Sequence, residues 1–238
     1  MVDTATQTQF DSDFDAIASA QAGGLRGTFS RLGTHIVMLE STIFFKSRRD
    51  AASTVVIRTT CKETQVCGSY DGKLTPDELL AGKSPTGTDD PHHNGELLVA
   101  IYKAKPDKES IERFNGNVKG FMEAAKASVS NLIEAAKKVA KNVQRAGGEG
   151  ADAAAEEMTA FAEGEEARFA SLGIDLSQEA KGTVSKAETK AILIDNVMQG
   201  IYVKMVSTRY QNKNKVNMNI TGFQAMSVED FVKVLTEE

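Results

Sequence analysis

The sequence predicts an α+β protein, in which five strands form a small antiparallel barrel and a long helical insertion separates the third strand from the fourth. Three observations favour this class. β-Branched and aromatic residues concentrate in five short segments. Between the third and fourth of these segments, apolar residues recur at spacings of three and four, which is the period of a helix. Glycines and prolines cluster at the changes from one pattern to the next.

Three predicted strands precede the insertion and two follow it. The segments 34–46 and 54–63 form a hairpin whose tip is the polar sequence "SRRDAAS". The third strand covers 96–103, after an irregular Gly- and Pro-rich stretch at 64–95. The last two strands, 200–210 and 215–223, alternate apolar and polar residues and are joined by the turn "QNKN".

The insertion itself is predicted as three helices. The first covers 107–145 and is weakened by Gly116 and Gly120, where it could break. The second covers 151–172 after the turn "AGGEG", and is acidic. Ser185 and Glu188 have the spacing of a capping box at the start of a third, short helix. A last helical turn opens at Ser227.

The order of three strands, helix and two strands is that of an OB-fold, a five-stranded Greek-key barrel that binds oligonucleotides across one face. The chain then divides into five segments. These are an acidic, flexible leader (1–25), strands one to three (26–104), the helical insertion (105–198), strands four and five (199–224) and a short, helical, acidic tail (225–238).

The charges of the chain are segregated. The net charge is −5, yet residues 26–62 carry a net +5, residues 99–146 a net +5 and residues 190–224 a net +4, with acidic segments between them. This pattern excludes a wholly basic surface but is compatible with a local basic groove.

Basic and aromatic side chains meet at the tips of both predicted hairpins. Cations that follow phosphates, beside aromatic rings that stack on bases, are what single-strand binding requires. Phe44 and Phe45 are neighbours in a strand and face opposite sides, so one of them belongs to the core. The predicted nucleic-acid-binding residues are Phe44, Lys46, Arg48, Arg49, Arg58, Lys62, Tyr102, Lys103, Tyr202, Lys204, Arg209, Tyr210, Lys213 and Lys215.

Several of these segments also carry a resemblance. The strand 34–45 with "KSRRDAAS", the segment "NGNVKGFMEAA" at 115–125 and "MQGIYVKMVSTRYQNKNKVNMNITGF" at 198–223 resemble phage-encoded single-stranded-DNA-binding OB-fold proteins. One matching feature is an Asn-x-Lys-Gly-Phe helix segment, here Asn117 to Phe121 with Val118 at the variable position. The other is a Gly-led strand that is followed by a basic turn and a Val-Asn strand. The long acidic insert and the 64–95 stretch depart from that family's compact pattern, and the acidic tail lacks the terminal Phe that bacterial single-strand binders often have.

Catalytic and metal sites find little support in the sequence. Cys61, Cys67, His92 and His93 could supply four zinc ligands, but the C-x₅-C spacing is not that of a zinc knuckle and adjacent histidines rarely bind one ion. The aspartates at 11, 13 and 15 lack the Gly and Glu of a calcium loop. The glycine-rich turn lacks the phosphate-loop signature. We therefore expect a protein without enzymatic activity, metal or cofactor.

Two functional hypotheses from different classes follow. The first is a largely sequence-independent single-stranded-DNA-binding protein, working as a homo-oligomer with replication or recombination proteins in the cytoplasm of a cell or of a phage-infected host. RNA cannot be separated from DNA as its ligand by sequence alone. The second is a structural or assembly protein whose helical arm multimerises and docks a partner. Neither involves a membrane, because no apolar run reaches the roughly 20 residues that a spanning helix needs.

Overall fold

The computed structural model describes residues 14–20, 33–46, 53–65, 96–102, 107–177, 179–212 and 215–236. A short helix, α1, covers 14–19. The remaining elements, in chain order, are β1 (Gly33–Lys46), β2 (Ser53–Gln65), β3 (Glu96–Tyr102), α2 (Lys108–Ala146), α3 (Ala151–Ser171), α4 (Lys186–Leu193), β4 (Tyr202–Asn212), β5 (Lys215–Ala225) and α5 (Val228–Thr236).

The strands form one open antiparallel sheet with the order β3-β2-β1-β4-β5, so the predicted closed barrel is wrong. Closure would require β3 to pair with β5. Within the described residues β3 pairs with β2 and β5 pairs with β4. A closed barrel of so few strands has an interior filled by its own side chains. Here instead the 39-residue helix α2 packs on the inner face, where Phe121 meets Phe223 of β5 with ring centroids 5.0 Å apart.

Helix α2 is continuous, and the predicted weak point at Gly116 and Gly120 does not break it. Asp107 caps its N-terminus by accepting a hydrogen bond from the Ser110 N–H at 2.9 Å. All five residues from Phe114 to Val118 are buried, and five residues exceed one helical turn. The helix is therefore enclosed on all sides where its intrinsic propensity is lowest, and tertiary packing outweighs that propensity.

Helices α2 and α3 form a hairpin. The connecting turn needs glycine, because Gly147, Gly148 and Gly150 all have positive φ. The seam between the helices is narrow: of the 21 residues of α3, the buried ones are Ala155, Ala162 and Phe169, which follow each other at intervals of seven. Lys137 of α2 and Glu166 of α3 form an ion pair across the seam, 2.6 Å between Nζ and Oε1.

The short helix α4 is attached to α2 by a buried ion pair. Lys126 Nζ lies 2.6 Å from Glu188 Oε1 and donates a second hydrogen bond to the Thr183 carbonyl at 2.7 Å. The predicted capping box is confirmed: Glu188 accepts from the Ser185 N–H, and the Ser185 hydroxyl accepts from the Glu188 N–H. Burial by itself raises the pKa of Glu188, but the hydrogen bonds from Lys126 and from the Ser185 and Asp175 backbones outweigh burial and hold the pKa below its ordinary value.

A candidate nucleic-acid interface

The two faces of the sheet differ in chemistry. The inner face is apolar and buried, with Val37, Val55, Ile57, Val99 and Val203 among its residues. A register shift between Leu39 and Ser41 moves the buried set of β1 from odd to even positions, so that Thr42 and Phe44 continue the core. The outward face is defined here by the described side chains that alternate with the core: Thr34, Ile36, Met38, Glu40, Ser41, Ile43, Val56, Arg58, Thr60, Lys62, Tyr202, Lys204, Val206 and Gln224. Glu40 is acidic, and its carboxylate accepts a hydrogen bond from the Thr60 hydroxyl.

A lysine and a tyrosine from different strands meet on the outward face. Lys62 of β2 is exposed, and its Nζ lies over the Tyr202 ring of β4, 5.1 Å from the centroid. Strand β1 brings them together, because Met38 pairs with Thr60 on one side and with Tyr202 on the other. The contact is a cation–π interaction of about 0.5–1 kcal/mol at an exposed site. It holds a cation beside an aromatic ring, which is the combination that single-strand binding uses.

Two further cations lie on the same face. Arg58 of β2 is exposed and pairs with Ser41 across the β1–β2 ladder. Lys204 of β4 pairs with Ile36, but its Nζ lies 2.6 Å from Asp230 Oδ2 of α5. Burial by itself raises the pKa of Asp230. The hydrogen bonds from Lys204 and Ser227 lower the pKa by a larger amount, so it lies below its ordinary value. The positive charge of Lys204 is therefore largely compensated by Asp230.

Helix α5 borders this region. Its buried Phe231 forms a small cluster with Met226 and Ala135, and Ile36 and Tyr202 of the outward face pack against that cluster. Ser227 begins α5 with the predicted spacing of three to Asp230, whose N–H donates to the Ser227 hydroxyl at 3.1 Å. The outward face is thus divided: its β4 part is lined by α5, and its β2 part carries the exposed Arg58 and Lys62.

Phe44 has a different place from the one that a stacking role needs. It is 8% exposed and its ring packs against Phe14 of α1, with centroids 5.5 Å apart. Phe44 is therefore the core member of the Phe44–Phe45 pair. Its ring serves packing, because no open face is left for a base.

The other predicted site residues lie at or beyond the limits of the described residues. Five are in strands, although nothing is described of their side chains: Lys46, Tyr102, Arg209, Tyr210 and Lys215. Four fall outside the described residues: Arg48, Arg49, Lys103 and Lys213.

The two basic hairpin tips lie at opposite ends of the sheet. Strand β1 runs from Gly33 to the first tip at Lys46, and its antiparallel neighbour β4 has Ser207 opposite Gly33. Strand β4 then continues to Asn212, paired with β5. Its end therefore lies five residues past the position opposite Gly33, the start of β1. The path along the strands from Lys46 to Asn212 is 13 residue steps in β1 and five in β4, or about 60 Å at roughly 3.3 Å per residue. A ligand that touches both tips must run along the strands.

Sequence reasoning missed two ion pairs, Lys126–Glu188 in the core and Lys204–Asp230 on the outward face. The partners in each pair are far apart in the chain, so spacing carries no signal of them. Of the four zinc candidates, Cys61 is buried in the sheet, and Cys67, His92 and His93 fall outside the described residues. No described helix has the length and apolar character to cross a membrane.

Comparison of the chain with protein-family models, with curated proteins and with solved structures gave no match.

Proposed function

We propose that this chain binds single-stranded nucleic acid, DNA in the first place, on the outward face of its sheet and with little sequence preference. The observation that carries the proposal is the Lys62–Tyr202 contact, together with the exposed Arg58 four residues earlier in β2, on the face opposite the core. The cations would hold phosphates, and the tyrosine ring offers a surface on which a base can stack, worth about 1–3 kcal/mol.

A single strand suits this surface better than a duplex does. A duplex presents phosphates while its bases are stacked inside, so the tyrosine would gain nothing from it. A single strand exposes both groups at once. The opposite positions of the hairpin tips also favour an extended ligand lying along β1. The resemblance to phage single-strand-binding proteins supports the same proposal, and with it a non-enzymatic role in DNA replication or recombination in the host cytoplasm.

The electrostatics of the chain would restrict binding to this face. The chain as a whole is acidic, with net charge −5, and helix α3 alone carries six acidic residues.

 These six residues are Asp152, Glu156, Glu157, Glu163, Glu165 and Glu166. Such a surface repels phosphates, so a polyanion is directed to the positive face.

A second candidate function rests on a different observation. Helix α3 buries three of its 21 side chains, which is little for a helix of that length. A helical hairpin with so much open surface fits a structural or assembly protein whose arm contacts other subunits. The two functions differ in what the outward face of the sheet does, and nucleic-acid binding therefore separates them.

The test is fluorescence anisotropy of a labelled oligo-dT, with an oligo-U and a matched duplex as competitors, at low and high salt. Two variants with the same net charge are compared: Arg58→Ala/Lys62→Ala on the outward face, and Lys141→Ala/Arg145→Ala at the far end of α2, where both side chains are exposed. Because both variants lose two positive charges, any difference between them reports where the ligand lies.

We expect salt-sensitive binding of oligo-dT, weaker binding of the duplex, and a loss of affinity in the sheet variant of at least tenfold relative to the helix variant. Equal affinities of the two variants would refute the outward face as the site. The lack of any binding at low salt would refute the function and leave the assembly hypothesis. Tighter binding of oligo-U than of oligo-dT would change the ligand from DNA to RNA.

A further inference from the structure

Helix α3 has two faces of opposite accessibility. One carries Ala155, Ala162 and Phe169, which are buried against the rest of the molecule. The other is exposed and holds a second row of residues at alternating spacings of three and four, the period of a coiled-coil seam. We call this row the outer stripe. Its members are Ala154, Glu157, Phe161, Gly164, Arg168 and Ser171.

The outer stripe places one large apolar side chain, Phe161, close to one open position, Gly164. The side chain of Phe161 is 37% exposed, and that of Leu172, which follows the last residue of α3, is 38% exposed. A Cβ atom added at Gly164 would meet no atom within 4 Å, so the surface above this glycine is open. An exposed ring three residues from an open glycine is a knob beside a hole on the same helix.

We propose that the outer stripe is an interface between two copies of this chain, with the two α3 helices antiparallel about a two-fold axis. The axis passes between Ala162 and Glu163. In this register Phe161 lies against Gly164 of the second copy. By symmetry the contact occurs twice.

The charges of the stripe fit the same register. Within one helix, Glu157 and Arg168 lie on opposite sides of the axis and equally far from it. The two-fold rotation therefore places Glu157 opposite Arg168 of the second copy. Within one chain, Arg168 Nη1 is 2.9 Å from Glu165, and its guanidinium lies over the Phe169 ring at 4.9 Å. The guanidinium has five N–H donors, so it can also bind a second carboxylate.

A parallel arrangement fails on the same residues. It would place Glu157 against Glu157 and Arg168 against Arg168, which is repulsive. It would also place the two Phe161 rings against each other and the two open glycines against each other, leaving the holes empty. A second copy in the antiparallel register is therefore the occupant that the stripe itself specifies.

The first test is the molar mass by light scattering and sedimentation over a wide range of concentration, with Gly164→Leu and the control Glu163→Leu. Leucine has a higher helix propensity than glycine, so Gly164→Leu supports the helix while it fills the hole. Glu163→Leu introduces the same leucine one position earlier, about 100° around the helix and outside the outer stripe.

We expect the wild type and Glu163→Leu to have twice the mass of the chain, and Gly164→Leu to have the mass of one chain with unchanged helix content by circular dichroism. A monomeric wild type at every concentration, or a dimeric Gly164→Leu, would overturn the proposal.

The second test is a charge exchange. Glu157→Arg alone and Arg168→Glu alone should each increase the dissociation constant of the dimer at least tenfold, and the double variant should recover association. Double and single variants that dissociate equally would contradict the antiparallel register. None of these measurements involves nucleic acid, so the interface and the proposed function can fail independently.

Discussion

Lys126 of α2 and Glu188 of α4 form an ion pair in the interior, with 2.6 Å between Nζ and Oε1 and both side chains buried. Glu188 Oε1 also accepts a hydrogen bond from the Asp175 N–H, and Oε2 accepts one from the Ser185 N–H. The pair thus connects the long helix to the loop after α3 and to the start of α4. A buried charge with all of these partners is tolerated only as long as the set is complete.

Removal of one member of this pair should destabilise the protein strongly. We expect Lys126→Met to lower the free energy of unfolding by about 3–5 kcal/mol, because the Glu188 carboxylate then stays buried without its counter-charge. The control is Lys137→Met, which breaks the half-exposed Lys137–Glu166 pair and should cost less than about 1 kcal/mol. Urea denaturation measures both. Similar losses in the two variants would contradict the structural role of the buried pair.

The same pair predicts how stability depends on pH. The pKa of Glu188 is held below its ordinary value of 4.5, so in acid the unfolded chain takes up a proton at this group before the native protein does. The contribution of Glu188 to stability is therefore complete above pH 4.5 and is lost as the pH falls through the native pKa.

Glu188→Gln isolates this contribution, because glutamine retains the capping-box geometry but does not titrate. We expect the variant to be less stable than the wild type near neutral pH, with a difference that shrinks as the pH falls below 4.5. The free energy of unfolding, measured by denaturant titration at a series of pH values, gives the result. A difference that stays constant with pH would show that the ionised form of Glu188 has no special place in the fold.

Phe44 should matter for stability and not for ligand binding. Phe44→Ala removes a ring that packs against Phe14, and we expect a loss of about 3 kcal/mol in the free energy of unfolding. The neighbouring Ile43 is 46% exposed, so Ile43→Ala should change stability by less than about 0.5 kcal/mol. Where the Phe44 variant is folded, its affinity for oligo-dT should equal that of the wild type; a specific loss would return Phe44 to the binding site.

The salt dependence of binding provides a count of phosphate contacts. For a single strand, the logarithm of the affinity falls with the logarithm of the salt concentration by about 0.7 per neutralised phosphate. If Arg58 and Lys62 each hold one phosphate, the double alanine variant should have a slope that is smaller by about 1.4. Anisotropy titrations at a series of salt concentrations measure it. An unchanged slope would mean that these side chains act on stability or shape and not on phosphates.

Most local elements of this protein follow from its sequence to within a few residues; the exception is α1, which lies in the predicted flexible leader and buries Phe14 and Ile17. The spacing of apolar residues from Ile111 to Val139 predicts α2, and the three glycines at 147, 148 and 150 predict the turn to α3 because only glycine adopts these φ angles readily. The capping box at Ser185 was readable from spacing alone. These features depend on residues that are close together in the chain, so they can be predicted from the sequence alone.

The candidate site was predicted less well. Lys62 and Tyr202 were both expected to contact nucleic acid, but their contact with each other could not be read from residues 140 positions apart. The sequence also assigned Lys204 to the basic face without its partner Asp230. For Phe44 and Phe45, alternation predicts that one is buried, and the register shift in β1 decides which.

By itself the sequence determined the helices α2 to α5, the strands, their caps and turns, and the alternation of charge along the chain, because propensity and periodicity are local properties. Only the tertiary structure decided that the sheet stays open, that α2 covers its inner face, and which charges neutralise one another. The physical reason is that sheet closure and ion pairing depend on distances between residues far apart in the chain, which are set by how the elements pack.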